Sequence, residues 1–586
     1  MRKKGNIMIK MENLSYSFPQ KDLYHQISFT LEEGQHCAFI GTSGSGKSTL
    51  MDIIMDPKSF LFEGSLELGP DTRIGFVGQF QNLEMTKEST VFEYISEDFR
   101  RLQNEISCIC KEMEEAFDLE PLLQRYQNAL DALEGIGGED FESSINKKLN
   151  LAKLHKKKDL KVAALSGGEF KLIQVMREML KKPNLMILDE PDVFLDFENL
   201  NSLKNLIHSY KGSLLIVTHN RYLLNHCFNK IIHLENKELQ EFNGRYVDYT
   251  FSLLQRKIEL QELALEDTAE IERNDIIIDN LRHIATYNTE ASRGKALKAR
   301  VKIQERLEAR RIKAPFVYIK QPNIHLEMGN KTEESTLLSV NDYSIVWDAL
   351  LLEKVNFEIQ AGDKVALIGP NGSGKTTLLK EIFRNQKDSI GLKEGAQVAY
   401  LSQLQGEMLQ DKDTIFETFF EEGFKSYVEI IAYLSNYGFE EEVLGQKIGA
   451  LSGGERKMLQ LALVCGRRAN LLLLDEPSSH LDTYSQIALE KAIQDYPGAV
   501  LMSSHDYYTI VNCMDYVLIL ENKTLRKMSI RKFRKLIYGR YFNQGYLEVE
   551  QKKKSLELKI ELALKELRFE GAKSLSKELE DLIQKI

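Results

Sequence analysis

Cysteine is scarce and unpaired in this chain. The six residues, Cys37, Cys108, Cys110, Cys227, Cys465 and Cys513, form no C-x-x-C pair. That excludes a zinc ribbon, an iron–sulfur cluster and a disulfide framework, and buried thiols in a reducing cytoplasm are the expectation. Proline is also sparse, at 11 residues against 36 glycines, so the chain is neither collagen-like nor a low-complexity linker. No run of about 18 apolar residues occurs anywhere. The start MRKKGNIMIKMENLSYSF is basic but lacks the apolar stretch of a secretory signal, so neither a membrane span nor export by that route is expected. An excess of positive charge is missing too: 77 basic residues stand against 87 acidic ones, a formal charge of -10. A phosphate-rich partner must therefore be met by local patches. What the chain does have is length, 586 residues with 43% hydrophobic character, enough for two to four domains with their own cores.

Self-similarity organises that length. GTSGSGKST at Gly41 to Thr49 returns as GPNGSGKTT at Gly369 to Thr377, and LSGGE at Leu165 returns at Leu451. LMILDEP at Leu185 returns as LLLLDEP at Leu471, and IVTHN around His219 returns as MSSHD around His505. The last three pairs share one offset of 286 residues (Leu165 to Leu451), the mark of a duplicated domain. The glycine-rich loops are 328 apart (Lys47 to Lys375), so the first copy carries 42 extra residues (328 less 286) before its LSGGE. Gln79 pairs with Gln403, which places most of the surplus after Gln79.

Apolar residues at helical spacing between about Val91 and Gly135 assign that surplus to a helical arm. Between the copies, Arg245 to Arg293 contains neither Gly nor Pro, and a second helical run follows Gly294 and stops at Pro315. This pattern predicts a helical hairpin with its tip near Tyr287, its first helix reaching about 55 Å. A plain linker would more commonly be rich in Gly, Ser or Pro. The returning strand is basic: Arg293, Lys295, Lys298, Arg300, Lys302, Arg306, Arg310, Arg311 and Lys313 stand against Glu305 and Glu308 alone. It is the candidate for contact with a phosphate backbone. The tail from Gly545 to Ile586 is helical in pattern with nearly balanced charge, the signature of a self-packed hairpin.

The chemistry lies in the repeated motifs. A G-x-x-x-x-G-K-[ST] loop after an apolar strand aims successive backbone N–H groups at one point, which suits a triphosphate. Gly41, Gly44, Gly46, Lys47, Ser48 and Thr49 form one such loop, and Gly369, Gly372, Gly374, Lys375, Thr376 and Thr377 the other. Lys47 and Lys375 are placed to reach the β and γ phosphates, and the hydroxyls of Ser48 and Thr376 to ligate Mg²⁺. Each LDE run reads as a buried parallel strand ending in two acids beside that loop. Asp189 and Asp475 suit the Mg²⁺ shell, and Glu190 and Glu476 are positioned to polarise the attacking water. His219 and His505 each follow that glutamate by 29 residues, at the end of the next strand near the γ phosphate.

This set resembles the ATP-binding cassette family, whose diagnostic signature is LSGGE. The resemblance implies two α/β P-loop cassettes paired head to tail, each ATP lying between one P-loop and the other cassette's signature. Lys47, Ser48, Gln79, Asp189, Glu190 and His219 would then share a nucleotide with Ser452, Gly453 and Gly454. The mirror site would join Lys375, Thr376, Gln403, Asp475, Glu476 and His505 with Ser166, Gly167 and Gly168. Gln79 and Gln403 would complete the Mg²⁺ shells. The adenine-stacking aromatic would be Phe18; in the second copy Val346 stands at that distance and Trp347, the only tryptophan, next to it, where a stacking ring and a core side chain are equally open readings. The first copy departs from the pattern. EPDVFLD replaces the family's T-N-H-L-D-type loop that EPSSHLD approximates, and Phe170 stands where Arg456 does. Equal rates at the two sites are therefore not expected.

Twin cassettes, an arm in the first and a charged helical hairpin between them are similar to the ABC-F subfamily of translation factors over essentially the whole chain. That likeness implies a first cassette over 1–245 with its arm at about 91–135, a hairpin linker over 246–334, a second cassette over 335–543 and a helical extension over 544–586. It also implies an ATPase acting as a monomer with intramolecular cassette pairing. Its partner would be the ribosome, met through ribosomal RNA and P-site transfer RNA, with the linker extended toward the peptidyl-transferase centre. Both a housekeeping role in elongation and an antibiotic-resistance role are compatible with the sequence. A soluble ATPase of DNA repair or of a transport complex is the alternative class, although zinc modules, long coiled coils and membrane spans are all missing.

Overall fold

In a computed structural model, the described residues are 6–18, 21–78, 88–115, 117–263, 322–329, 335–346, 350–541 and 546–584. Residues 264–321 of the inter-cassette hairpin, with its tip and basic run, and Gln79 and Trp347 lie outside them. The described chain forms two compact units, one holding residues 6–243 and 322–536, the other 244–263 and 537–584.

The first unit contains both copies of the repeat, each built on a six-stranded sheet. In the first copy the strand order is Ile74–Val77, Leu185–Asp189, Ser213–Val217, His36–Gly41, Lys230–Glu235 and Glu238–Asn243, parallel except for the last pair. The second copy repeats it with Val398–Leu401, Leu471–Asp475, Ala499–Ser503, Lys364–Ile368, Tyr516–Glu521 and Thr524–Ser529. The inner strands are apolar throughout because both faces are covered, and all five residues of Leu185–Asp189 and of Leu471–Asp475 are buried. A three-stranded antiparallel sheet flanks each core, Lys21–Glu32, Ile7–Phe18 and Glu63–Leu68 in the first copy. Met11, Leu14 and Phe29 from this layer pack with Leu50 and Ile54 of the helix Lys47–Met55.

Topology places the chemistry. The strand His36–Gly41 lies between Ser213–Val217 and Lys230–Glu235, and its carboxyl end delivers the glycine-rich loop beside the ends of Leu185–Asp189 and Ser213–Val217. Ligands of open α/β sheets bind at such an edge.

The surplus of the first copy is a pair of helices, Val91–Glu115 and Glu120–Gly135, joined laterally by an Arg125–Glu112 ion pair at 2.9 Å. The second copy has only Ile415–Glu421 and Tyr427–Leu434 in this region. The arm also explains Phe170: its ring is buried 5.6 Å from Tyr94 on the arm's first helix. Arg456, without such a neighbour, instead donates to the Gly449 and Leu451 carbonyls and pairs with Asp411.

Cys37, Cys227, Cys465 and Cys513 are buried thiols, whereas Cys108 and Cys110 are exposed, correcting the expectation for those two. They sit on an arm helix that packs along one side only, so a small side chain on the other side meets solvent. In the second unit, Tyr546–Lys565 and Phe569–Ile583 pack on each other and also against Phe251 and Ile258 of the helical segment 246–263. The tail's apolar stripe is thus shared with the segment leaving the first cassette. Among the described residues no helix is long and apolar enough to cross a membrane.

Candidate nucleotide sites

Each glycine-rich loop ends in a helix whose cap, Gly46 (φ 100°) or Gly374 (φ 93°), adopts the left-handed conformation that favours glycine. The following lysines fold back into the loop. Lys47 Nζ donates to the carbonyls of Gly41 and Thr42 at 3.0 and 2.8 Å, and Lys375 Nζ to those of Gly369 and Pro370 at 2.8 and 3.1 Å. Burial pushes both ammonium groups down, opposed chiefly by Glu190 and by Glu476. Ser48 and Thr376 stand beside the carboxylates of Asp189 and Asp475. Thr49 and Thr377 occupy the first turns of the same helices.

Glu190 and Glu476 lie one residue beyond their strands at φ 45° and 46°. That region is sparsely populated for residues with a side chain and is found at functional positions. Their backbone N–H groups donate to the carbonyls of Val217 and Ser503, both at 2.9 Å. His219 and His505 follow two residues beyond those acceptors, 7% exposed in the case of His219. Burial pushes the His219 imidazole down to about 4 and that of His505 well below its ordinary range.

The two copies meet head to tail. The backbone N–H of Ser43, in the first P-loop, donates to Asp482 of the second copy at 3.0 Å. Asn371, in the second P-loop, donates reciprocally from its backbone to Asp196 at 3.3 Å and from its side chain to the Phe194 carbonyl at 2.9 Å. Asp196 and Asp482 also cap the helices Phe197–Ser209 and Thr483–Asp495 with their other oxygens. The signature serines Ser166 and Ser452 start the helices Gly167–Leu180 and Gly453–Gly466, each through a reciprocal capping box with Glu169 or Glu455. Glycine is required there by close approach: a Cβ on Gly454 would stand 2.2 Å from Ser43 Oγ, and one on Gly168 3.2 Å from Asn371 Nδ2. Each helix start thus faces the opposite P-loop.

Several groups in these clefts await a partner. The hydroxyls of Ser45 and Ser373, inside the P-loops, are buried without hydrogen bonds, as is one oxygen of Asp189. Burial and the adjacent Glu190 raise the Asp189 carboxyl to about 6, a like-charge pair that a cation would relieve. No cluster of three or more His, Cys, Asp or Glu side chains capable of holding a metal occurs among the described residues. The donor set is therefore hydroxyl plus single carboxylate, which fits Mg²⁺ completed by phosphate oxygens and water, not an all-protein cage. Phe18 is 46% exposed at the end of its strand, edge-on to Tyr16 at 5.3 Å, with an open ring face to offer. Gln403 is half-buried beyond the strand Val398–Leu401.

Some functional neighbours were not singled out from the sequence. Lys171 and Lys457 stand two residues after each LSGGE and are aimed inward: Lys171 Nζ donates to the Gly78 carbonyl at 2.6 Å, and Lys457 Nζ, fully buried, to the Ser402 carbonyl at 3.1 Å. They tie each signature helix to the residue just before Gln79 or Gln403. Burial lowers Lys457 to about 8, against the pull of Asp475. The repeat itself carried the signal, since the lysine recurs at the 286-residue offset.

The departure at Phe194 makes the sites unequal. His480 Nδ1 lies 3.1 Å from Glu190 Oε2, reaching across from the second copy. Burial pushes the Glu190 carboxyl up, but the His480 contact outweighs it and holds the group at about 2. At the mirror position Phe194 has no such atom to offer, and a second ring, Phe197, stands edge-on to His505 at 6.0 Å. Glu476 accepts the His505 backbone N–H at 3.3 Å, its other oxygen lies 3.7 Å from His505 Nε2 without a hydrogen bond, and burial holds its carboxyl well above the ordinary range. Glu476→Gln should accordingly retain several-fold more ATPase activity than Glu190→Gln, roughly ten-fold near neutrality. The sign for pH follows from the raised carboxyl: it stays protonated, and so cannot act as a base, until higher pH. The activity left in Glu190→Gln should therefore climb between pH 7 and 9 while that of Glu476→Gln stays flat. Indistinguishable single variants would make Phe194 a neutral replacement.

Two P-loop cassettes that each complete the other's cleft define a twin-cassette nucleoside triphosphatase. The ABC transporter family profile matches residues 24–193 and 352–479. The chain is 30% identical over 525 residues to the energy-dependent translational throttle protein EttA of Escherichia coli (strain K12), covering 85% of this chain and 89% of that one. It is 28% identical over 533 residues to ABC transporter F family member 5 of Arabidopsis thaliana, covering 88% and 75%. A solved structure titled RNase-L Inhibitor shares the fold at 17% identity, with a TM-score of 0.53 over 90% of this chain and 92% of that one. The chain belongs to the ABC-F subfamily of ATP-binding cassette proteins and is an ATPase.

Proposed function

We propose that the protein closes its two cassettes on ATP to bind the ribosome in the cytoplasm, acts there on translation, and leaves when hydrolysis opens them. The observation that carries the gating is the reciprocal contact of each P-loop with the opposite copy: Ser43 with Asp482, Asn371 with Asp196 and Phe194. The ribosome as partner is supported by the name of its translational-throttle relative and by the basic run from Arg293 to Lys313.

In this reading Lys47 and Lys375, with the backbone of Gly41 to Gly46 and of Gly369 to Gly374, hold the phosphates, and Phe18 stacks on one adenine. Ser48, Asp189 and Gln79, and Thr376, Asp475 and Gln403, hold Mg²⁺, which neutralises phosphate charge when bound. Glu190 and Glu476 take the proton of the attacking water, with His219 and His505 beside the γ phosphate. Ser166 to Gly168 and Ser452 to Gly454 present helix-start N–H groups to the nucleotide of the other copy, so ATP joins the halves. The linker reaches toward the peptidyl-transferase centre.

The relative's name, a translational throttle, favours a housekeeping role in translation. A second role, drug protection, is kept open by the departure of EPDVFLD from the T-N-H-L-D-type loop. Glu190→Gln/Glu476→Gln should co-sediment with ribosomes in ATP and inhibit translation, whereas Lys47→Ala/Lys375→Ala should do neither. Equal sedimentation of the two would sink ATP gating, and sedimentation with DNA or membranes alone would move the protein to the alternative class. Growth of a susceptible bacterium on lincosamides, pleuromutilins, macrolides and phenicols separates the roles: raised tolerance assigns protection, unchanged tolerance assigns elongation.

A further inference from the structure

Between Glu521 and Glu548 the chain has no acidic residue but eight basic ones: Lys523, Arg526, Lys527, Arg531, Lys532, Arg534, Lys535 and Arg540. Seven of them fall within the cassette unit on one continuous ribbon, the turn before the edge strand Thr524–Ser529, that strand, and the first turns of the helix Ile530–Tyr541: the half-buried Arg534 and six others, Lys523, Arg526, Lys527, Arg531, Lys532 and Lys535. All six side chains are exposed. None forms an ion pair among the described residues; Lys527 alone has a ring partner, Tyr516, at 3.7 Å. The helix is held from its other side, where Phe533 is 2% exposed and lies 6.3 Å from Phe197 of the first copy. Arg531, Lys532 and Lys535 are thus left facing solvent.

The duplication supplies an internal control. The equivalent ribbon of the first copy carries Glu238, Glu241 and Asp248 where the second has Thr524, Lys527 and Arg534. It also neutralises itself: Lys230 pairs with Glu241, Lys237 with Asp22, and Arg245 with Asp248. The same strand and turn therefore form without an excess of charge, so folding does not demand the six cations. Concentrated and unpaired like charge costs stability through self-repulsion, and in a chain of net charge -10 it is retained where something neutralises it.

We infer that this ribbon of the second cassette is an RNA-backbone docking surface, resting on the ribosome reading above but distinct from the linker's basic run. A row of cations rising from an edge strand onto a helix matches the repeating phosphates of a folded RNA, recognised by charge and shape. Membrane docking would need long apolar or aromatic side chains among the cations, and Leu536, 38% exposed, is the one large apolar side chain there that stands clear among the described residues.

The test uses the full chain carrying Glu190→Gln/Glu476→Gln with ATP, compared with the same protein further changed by Arg526→Gln, Arg531→Gln, Lys532→Gln and Lys535→Gln. Binding to purified 70S ribosomes, to protein-free ribosomal RNA and to phosphatidylserine vesicles is measured across a salt series. Loss of four phosphate contacts should reduce the slope of log affinity against log salt by about 3 and weaken ribosome binding at least about ten-fold at physiological salt. The four substitutions in the otherwise unaltered chain should leave ribosome-free ATPase activity unchanged, which controls for folding. Equal affinity and slope with and without them overturns the surface while leaving the ribosome reading intact. Failure of the parental protein to bind ribosomes overturns that reading and this inference together. Ribbon-dependent binding to vesicles without ribbon-dependent binding to RNA overturns the inference in favour of a membrane.

Discussion

Replacing both Glu190 and Glu476 by Gln is expected to lower ATP turnover about 10²–10³-fold while leaving nucleotide binding intact. The amide keeps the shape of the carboxylate, and the backbone at both positions is fixed from outside the side chain, by N–H donation to Val217 and Ser503 at 2.9 Å. What the change removes is the proton acceptor. On the proposed cycle, in which ATP closes the cassettes and hydrolysis opens them, the closed state should accumulate, visible as nucleotide that no longer exchanges. A double variant that hydrolyses ATP at the parental rate would falsify the assignment. Loss of binding together with turnover would instead mean that the carboxylates hold the nucleotide, a role proposed above for Lys47 and Lys375.

The second large effect is expected at Arg221, the residue that follows the IVTHN motif. Its guanidinium crosses from the first copy to Asp506 at 2.9 Å and to Glu490, and lies over the Tyr508 ring at 4.7 Å. Side-chain exposures of 12%, 9% and 18% make this a buried bridge, and the two acids drive the guanidinium pKa upward against the cost of burial. The mirror position has nothing comparable: Tyr507, Lys204 and Asn220 stand in place of Arg221, Glu490 and Asp506. Arg221→Ala strands two buried carboxylates, and removing one partner of such a bridge costs about 3–5 kcal/mol. The ATP concentration that half-saturates closure should rise by about 10² or more. Adding Glu490→Gln should recover part of the loss by removing one stranded charge. Unchanged half-saturation in Arg221→Ala, with an unchanged unfolding midpoint, would show that the cassettes are held together elsewhere.

The fold was readable from the sequence where local constraints speak for themselves. The glycine-rich loops ending at Lys47 and Lys375 announce a phosphate-binding turn, and the apolar runs ending at Asp189 and Asp475 announce strands buried on both faces. Because the gene product repeats itself, each of these signals could be checked against a second copy, and the surplus at Val91–Gly135 stood out as an arm. The exposure of Cys108 and Cys110 was not readable, because their environment depends on which side of the arm packs and not on the residues beside them in the chain.

Local motifs and their duplication, with the resemblance they carry to the ATP-binding cassette family, determined that this is a two-cassette ATPase, since the phosphate-binding loops, the acids and the signature are each encoded within a few consecutive residues. Only the tertiary structure decided how the two sites differ. His480 meets Glu190 across 290 residues of chain, Asp482 meets Ser43 across 439, and Arg221 meets Glu490 across 269. No periodicity or spacing records such contacts. They arise because two sheets, each closed by its own hydrophobic core, present their loop edges to one another, and a single replacement of His by Phe in one loop then alters the electrostatics of a glutamate in the other copy. The sequence shows that Phe194 departs from its twin, and the packing shows which carboxylate lacks a histidine from the opposite copy.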